Sequence, residues 1–191
     1  MRPIRISGAI IALVAAVAML LVSTGRERQA ATAQSGVQTF FLEVEGFQGE
    51  SEHVQFPHAI EVMSFEWGAS NPDGKSPDFR GFTVQKRVDR TSPKLLEHVG
   101  AGTVIPSARL RVIKAGGDQA EYLRYCFTNL RVTDLQSDGN SGDDLLLESV
   151  TFSYSTIVQR YSRQKPDGSL EAPVFGGWDT VKNQPFGPAG C

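Results

Sequence analysis

Two long stretches of period-two alternation, separated by a cluster of turn residues, constrain this chain more than any other feature. Over residues 121–135, Leu123, Tyr125 and Phe127 alternate with Arg124, Cys126 and Thr128; over residues 145–161, Val150, Phe152 and Tyr154 alternate with Thr151, Ser153 and Ser155. Successive side chains of a strand point to opposite faces, so each stretch reads as a strand with one buried and one open face. Between them Ser137-Asp138-Gly139-Asn140-Ser141-Gly142-Asp143-Asp144 supplies residues that accept left-handed backbone, which makes the pair a hairpin. Shorter alternating runs cover residues 37–45, 58–67, 81–88 and 108–114. Such a pattern predicts a small all-β barrel or sandwich. One segment departs from it, Ser92-Pro93-Lys94-Leu95-Leu96-Glu97-His98-Val99-Gly100. It predicts a two-turn helix over residues 92–99, with Ser92 as N-cap, Pro93 in the first helical position and Gly100 ending it. Leu95, Leu96 and Val99 would face the barrel.

The first residues follow a different rule. Arg2 and Arg5 precede an apolar run of fifteen residues, Gly8 through Val22, that contains no charge. Its helical length of roughly 22 Å is short of a ~30 Å hydrocarbon core and has the size of a signal-peptide hydrophobic region. Ala31-Thr32-Ala33 then offers the small residues a signal peptidase requires, which places cleavage between Ala33 and Gln34. The alternative is an uncleaved N-terminal membrane anchor. Either form delivers residues 34–191, one β-barrel domain, to the periplasm or beyond. No Arg-Arg pair precedes the run and no cysteine follows it, which argues against twin-arginine export and lipidation.

The residues offer little to chemistry. A net charge of −2, which turns more acidic once Arg2, Arg5, Arg26, Glu27 and Arg28 are removed, leaves no basic excess for nucleic acid or an anionic membrane. The chain has no Gly-x-Ser-x-Gly and no phosphate-binding GxxxxGK[ST], and its acidic residues form no pattern, so the expectation is a non-enzyme without a cofactor. His53, His58 and His98 include no pair at the helical ligand spacing, and residues 138–144 lack the order of a calcium loop, so no metal is expected. Of the two cysteines, Cys126 reads as a small buried apolar residue within a strand and Cys191 as a mobile terminal thiol. A Cys126–Cys191 disulfide is the less favoured alternative.

Several motifs resemble one known family. The run Val84-Gln85-Lys86-Arg87-Val88-Asp89-Arg90-Thr91-Ser92-Pro93-Lys94-Leu95-Leu96 is similar to the strand-to-helix signature of the haemolysin-coregulated protein (Hcp) family, the tube proteins of type VI secretion systems. In matching order, Phe40 through Ser51 resembles the family's first strand and turn, and Ile60 through Gly68 its second strand. Tyr122-Leu123-Arg124-Tyr125, Thr128-Asn129 and Glu148 through Tyr154 resemble its late hairpin, and Pro166 through Leu170 with Gly176-Gly177-Trp178-Asp179 and Asn183 its C-terminal segment.

The resemblance implies a mainly β fold, a small barrel of two antiparallel sheets with one short flanking helix. It also implies a non-enzymatic subunit that closes into six-membered rings, stacks into a tube and holds protein effectors in the lumen. By the same analogy the loop with Asn71, Pro72, Asp73, Pro77, Asp78 and Phe79 reaches a neighbouring subunit, where Phe79 would serve as an apolar anchor; its plainer reading is an exposed connection. The family's tube subunits assemble in the cytoplasm without a cleavable signal, so the N-terminal segment sets this chain apart. Two readings stand: a ring-forming secreted tube-type protein, or an exported monomeric binding module that keeps the barrel.

Overall fold

The computed structural model describes residues 38–114, 120–142, 145–188 and 191; the N-terminal segment and its cleavage site at Ala31, Ala33 and Gln34 lie outside the described residues. Among the described residues the strands are β1 (Gln38–Val44), β2 (Ile60–Glu66), β3 (Ala69–Ser70), β4 (Asp78–Phe79), β5 (Phe82–Arg87), β6 (Ile105–Lys114), β7 (Glu121–Asp138), β8 (Leu147–Ser153), β9 (Thr156–Tyr161), β10 (Val174–Asp179) and β11 (Gln184–Pro185), with one helix, α1 (Ser92–Ala101), between β5 and β6.

All pairings are antiparallel, and the large sheet runs β11-β10-β9-β7-β6-β1-β2-β5-β8. It closes because β8 also pairs with β7, which leaves a six-stranded barrel from which β9, β10 and β11 extend; β3 and β4 form a second, small sheet. Over the described residues the fold is thus the mainly β barrel with one short flanking helix that the alternation and the resemblance led to expect.

The 18-residue β7 makes closure work. Its first part pairs with β6 on one edge and β9 on the other, Cys126 lying between Arg109 and Val158; its second part pairs with β8, from Arg131↔Ser153 to Asp138↔Leu147. Asn129, in left-handed backbone at φ 50°, stands where the partner changes, and a register shift follows at Val132. A strand partnered along its whole length must bend to do this, and such irregularities are where sheets bend. The stretch 145–161 is therefore not one strand. It breaks at Tyr154 and Ser155, so that β8 turns toward β5 while β9 leaves for β10.

The inward faces build the core: Leu42 and Val44, Ile60 and Val62, Phe82 and Val84, Leu110, Tyr125 and Phe127, Val150 and Phe152. Each pair is two residues apart, the period a half-buried strand requires. Phe82 sits at the centre, its ring 4.5 Å from that of Phe127 and 6.1 Å from that of Phe152.

Helix α1 differs from expectation at both ends. Thr91 takes the N-cap position without a side-chain cap bond, Pro93 keeps its place in the first turn, and Gly102, at φ 62°, closes the helix in place of Gly100. Leu95 is fully buried and Val99 packs against the core, but Leu96 is 62% exposed, because a helix lying on a barrel buries only one stripe.

The cysteines correct the favoured reading. Cys126 and Cys191 form a disulfide, with Cα atoms 5.7 Å apart. The chain after β10 folds back over the outer face of β9 and β7, bringing residue 191 to a strand 65 positions earlier.

Candidate functional site

The polar residues of the signature run converge below the surface. Lys86 and Glu148 are cross-strand partners on β5 and β8. Both are nearly fully buried, and the Lys86 Nζ lies 2.6 Å from a Glu148 oxygen and 2.9 Å from Asp89. Nζ also donates to the Arg87 carbonyl at 2.8 Å, and the Ser92 hydroxyl donates to Glu148 at 2.7 Å. Asp89 accepts from the Thr91 backbone N–H at 2.8 Å and from the Thr91 hydroxyl. A buried charge persists only when paired and hydrogen-bonded, and every charge here is. The cluster ties the end of β5, the turn after it and the first turn of α1 to β8. Lys86 and Glu148 lie beneath the surface with Ser92 half-buried, and of the cluster's side chains Asp89 alone lines the neighbouring cleft.

The side chains that could have carried chemistry are scattered. His53 lies tilted against Phe41 and stacked on Phe56, at centroid distances of 4.8 and 5.4 Å, His58 is exposed in a turn at φ 62°, and His98 places Nδ1 2.8 Å from the Lys94 carbonyl. Among the described residues no group of three or more His, Cys, Asp or Glu side chains is placed to hold a metal ion. No helix among them is long and apolar enough to cross a membrane.

A second charged network lies on the outer face of β1, β6 and β7. Arg111 donates to Glu43 at 2.7 Å and to Glu121 at 3.0 Å, and Arg124 donates to Glu121 at 2.8 Å and to the Cys191 carbonyl at 2.8 Å. Burial pushes the Glu121 carboxyl up, but the Arg124 hydrogen bond and the charges of Arg111 and Arg124 outweigh it and hold the group below its ordinary value of 4.5. A carboxyl with a depressed folded value adds stability that is complete above the unfolded value and lost as pH falls through the folded one. Glu121→Gln is therefore expected to lower the urea midpoint at pH 7, and its difference from the parent chain should shrink as pH drops below 4.5. A difference that stays constant from pH 7 to pH 3 would rule this out.

The loop expected to reach a neighbour forms the β3–β4 hairpin. Asp73 closes its tip by accepting from the backbone N–H groups of Lys75 and Ser76 at 3.0 and 3.2 Å, and those two bonds hold its carboxyl below the usual range. Asn71, Pro72, Asp73 and Asp78 are exposed, while Pro77 and Phe79 are half-buried. Phe79 stacks on Trp178 of the same chain, centroids 6.3 Å apart. The base of the hairpin is thus fastened to its own body, and its tip projects.

Exposed apolar side chains gather in two places. Val88, Leu145, Leu146 and Leu147 form one group, 37–53% exposed, beside a cleft lined also by Glu50, Glu61, Arg87 and Asp89. Tyr161 and Val174, cross-strand partners on one face, and Phe175 on the opposite face of the same edge form the other, 42–64% exposed, where β9 meets β10. Here β10 is an edge strand, because β11 pairs only with Trp178 and Asp179. Tyr161 pairs with Leu123 and Leu147 with Asp138, so the groups lie at opposite ends of β7. At about 3.3 Å per residue this is a contour of up to roughly 50 Å. The alternation that located β7 and β8 says nothing of the second group, whose strand carries Gly176-Gly177 in place of a strand-forming pair.

The comparisons with known proteins point one way. Residues 41–161 match the family described as type VI secretion system effector, Hcp. Protein hcp1 of Pseudomonas aeruginosa is 28% identical over 154 residues, spanning 75% of this chain and 95% of that protein. The crystal structure of Hcp1 from Salmonella typhimurium superposes with a TM-score of 0.68 at 30% identity, covering 78% of this chain and 99% of that one. A second solved structure, of a type six secretion system protein, shares the fold with a TM-score of 0.76 at 24% identity, covering 78% of this chain and all of the other. With the barrel, the signature run and its buried ion cluster in place, this chain belongs to the Hcp family of type VI secretion system proteins.

Proposed function

We propose that the chain is a non-enzymatic, secreted ring-forming subunit of the Hcp type, whose action is geometric. The observation that carries this is the pair of exposed apolar groups at opposite ends of β7. A subunit that joins its copies head to tail uses two different surfaces, and such contacts close into a ring when the rotation per subunit divides a full turn. The Val88/Leu146 face of one copy meets the open β10 edge at Val174 and Phe175 of the next, six copies complete the ring by analogy with the family, and the enclosed lumen takes protein effectors. Each contact needs about 800 Å² per partner to be stable. The projecting tip of the β3–β4 hairpin, with Asn71, Pro72 and Asp73, contacts a further copy. Export proceeds through the N-terminal segment, cleaved after Ala33, and the Cys126–Cys191 disulfide supports a destination in an oxidising compartment.

The test is the native mass of the oxidised chain from Gln34 onward, by light scattering behind size-exclusion chromatography over a concentration series. A mass near six subunits is expected. A monomer at the highest concentration would overturn the ring and leave the exported binding module as the better account.

A further inference from the structure

The chain after β10 is held in an unusual way. Asp179 turns it by accepting from the backbone N–H groups of Val181 and Lys182 at 3.0 and 2.8 Å, and β11 pairs with β10 at only two positions, one of them Pro185, which has no N–H to give. Beyond that, Phe186 N–H donates to the Gly177 carbonyl at 3.0 Å, and Arg124 donates to the Cys191 carbonyl. Gly177 is required here, since a Cβ would stand 2.7 Å from the Phe186 oxygen and 2.8 Å from that of Ile157. No side chain among the described residues 181–188 is fully buried, and Val181 is 75% exposed. A segment with so few buried contacts opens at small free-energy cost, so the disulfide supplies most of what keeps it down.

What lies beneath does not resemble solvent-facing surface. Cys126, Thr156 and Val158 project outward from β7 and β9, away from the barrel core, yet are 7%, 7% and 2% exposed, with Phe186 lining the space above them. We propose that Gln184–Pro188 together with Cys191 form a redox-operated strap: the Cys126–Cys191 disulfide locks it over the outer face of β7 and β9, and reduction by a dithiol lifts it and bares Cys126, Thr156 and Val158. The reductant's thiolate attacks Sγ of Cys191, the less buried of the two residues. The sulfur–sulfur bond breaks, and Cys126 leaves as a thiolate that takes up a proton. The reductant's second thiol then displaces Cys191. Two electrons have passed to the cysteine pair, which ends as two thiols, and the reductant ends as its internal disulfide. The barrel closes through the β7–β8 pairing and packs its core without the strap, so it stays folded.

Hydrogen–deuterium exchange on the full chain, oxidised and with excess dithiothreitol, tests this, with thiol titration counting zero cysteines before and two after. Reduction is expected to speed exchange at the Phe186 amide at least tenfold while β1 and β6 amides keep their protection. Cys126→Ser/Cys191→Ser should show the same fast exchange without dithiol. The proposal fails if two thiols titrate before reduction, or if Phe186 stays protected in the reduced chain. It also fails if β1 and β6 lose protection together with it, because the disulfide would then hold the whole fold.

Discussion

Lys86→Met is expected to destabilise the fold by about 3–5 kcal/mol, the cost of breaking a buried ion pair from one side. The methionine fills most of the space, so packing contributes little. The cost arises because Glu148, 4% exposed, loses its ammonium partner 2.6 Å away, and Asp89 loses one 2.9 Å away. Glu148 keeps the Ser92 hydroxyl, but one neutral donor does not offset the desolvation of a full charge. The second half of the experiment separates this cause from simple loss of contact. Lys86→Met/Glu148→Leu removes both charges of the closest pair and should recover the larger part of the loss, leaving Asp89 with its bonds from Thr91. Urea unfolding of the three chains reads both effects. A double variant no more stable than Lys86→Met would show that the cluster stabilises through its geometry at α1 and not through charge compensation.

That cluster shows how far the residues could be read in advance. Lys86, Asp89, Thr91 and Ser92 were visible as a signature, but only the fold brings in Glu148, 56 positions beyond Ser92, and turns a local motif into a buried network. The barrel itself was legible because alternation is a local property: Leu123, Tyr125 and Phe127 share a face wherever the strand lies. Partner choice is not local. Nothing in residues 145–161 announces that β8 and β9 take different parts of β7, since the cause is the bend of β7 at Asn129. The helix was legible from Pro93, whereas its end shifted from Gly100 to Gly102 because two glycines stand within reach and backbone geometry selects between them. The disulfide was hidden most deeply, because it depends on the tail crossing Gly177, and a glycine that makes room for passing backbone looks like any other glycine in the sequence.

The proposed assembly has a sharper consequence than its mass. Phe175→Asp and Leu146→Asp each place a carboxylate in one of the two apolar groups, on side chains 44% and 53% exposed, so neither should disturb the fold. In a closed contact the carboxylate would be buried against apolar surface without a partner, at a cost of several kcal/mol. With tenfold in affinity for every ~1.4 kcal/mol, each contact weakens about a hundredfold or more, and each variant alone is expected to run at the mass of one subunit. Mixing them gives the decisive result. Phe175→Asp retains its Leu146 face and Leu146→Asp retains its Phe175 face, so one intact contact forms between the two chains. The product then presents a damaged face at each end and stops at two subunits, in one-to-one ratio. A self-complementary contact would behave otherwise, because the variant with its shared face untouched would already pair with itself unmixed. A one-to-one dimer that forms only on mixing therefore identifies a head-to-tail contact between these two faces. Full-mass rings from either variant alone would place the contact elsewhere on the barrel.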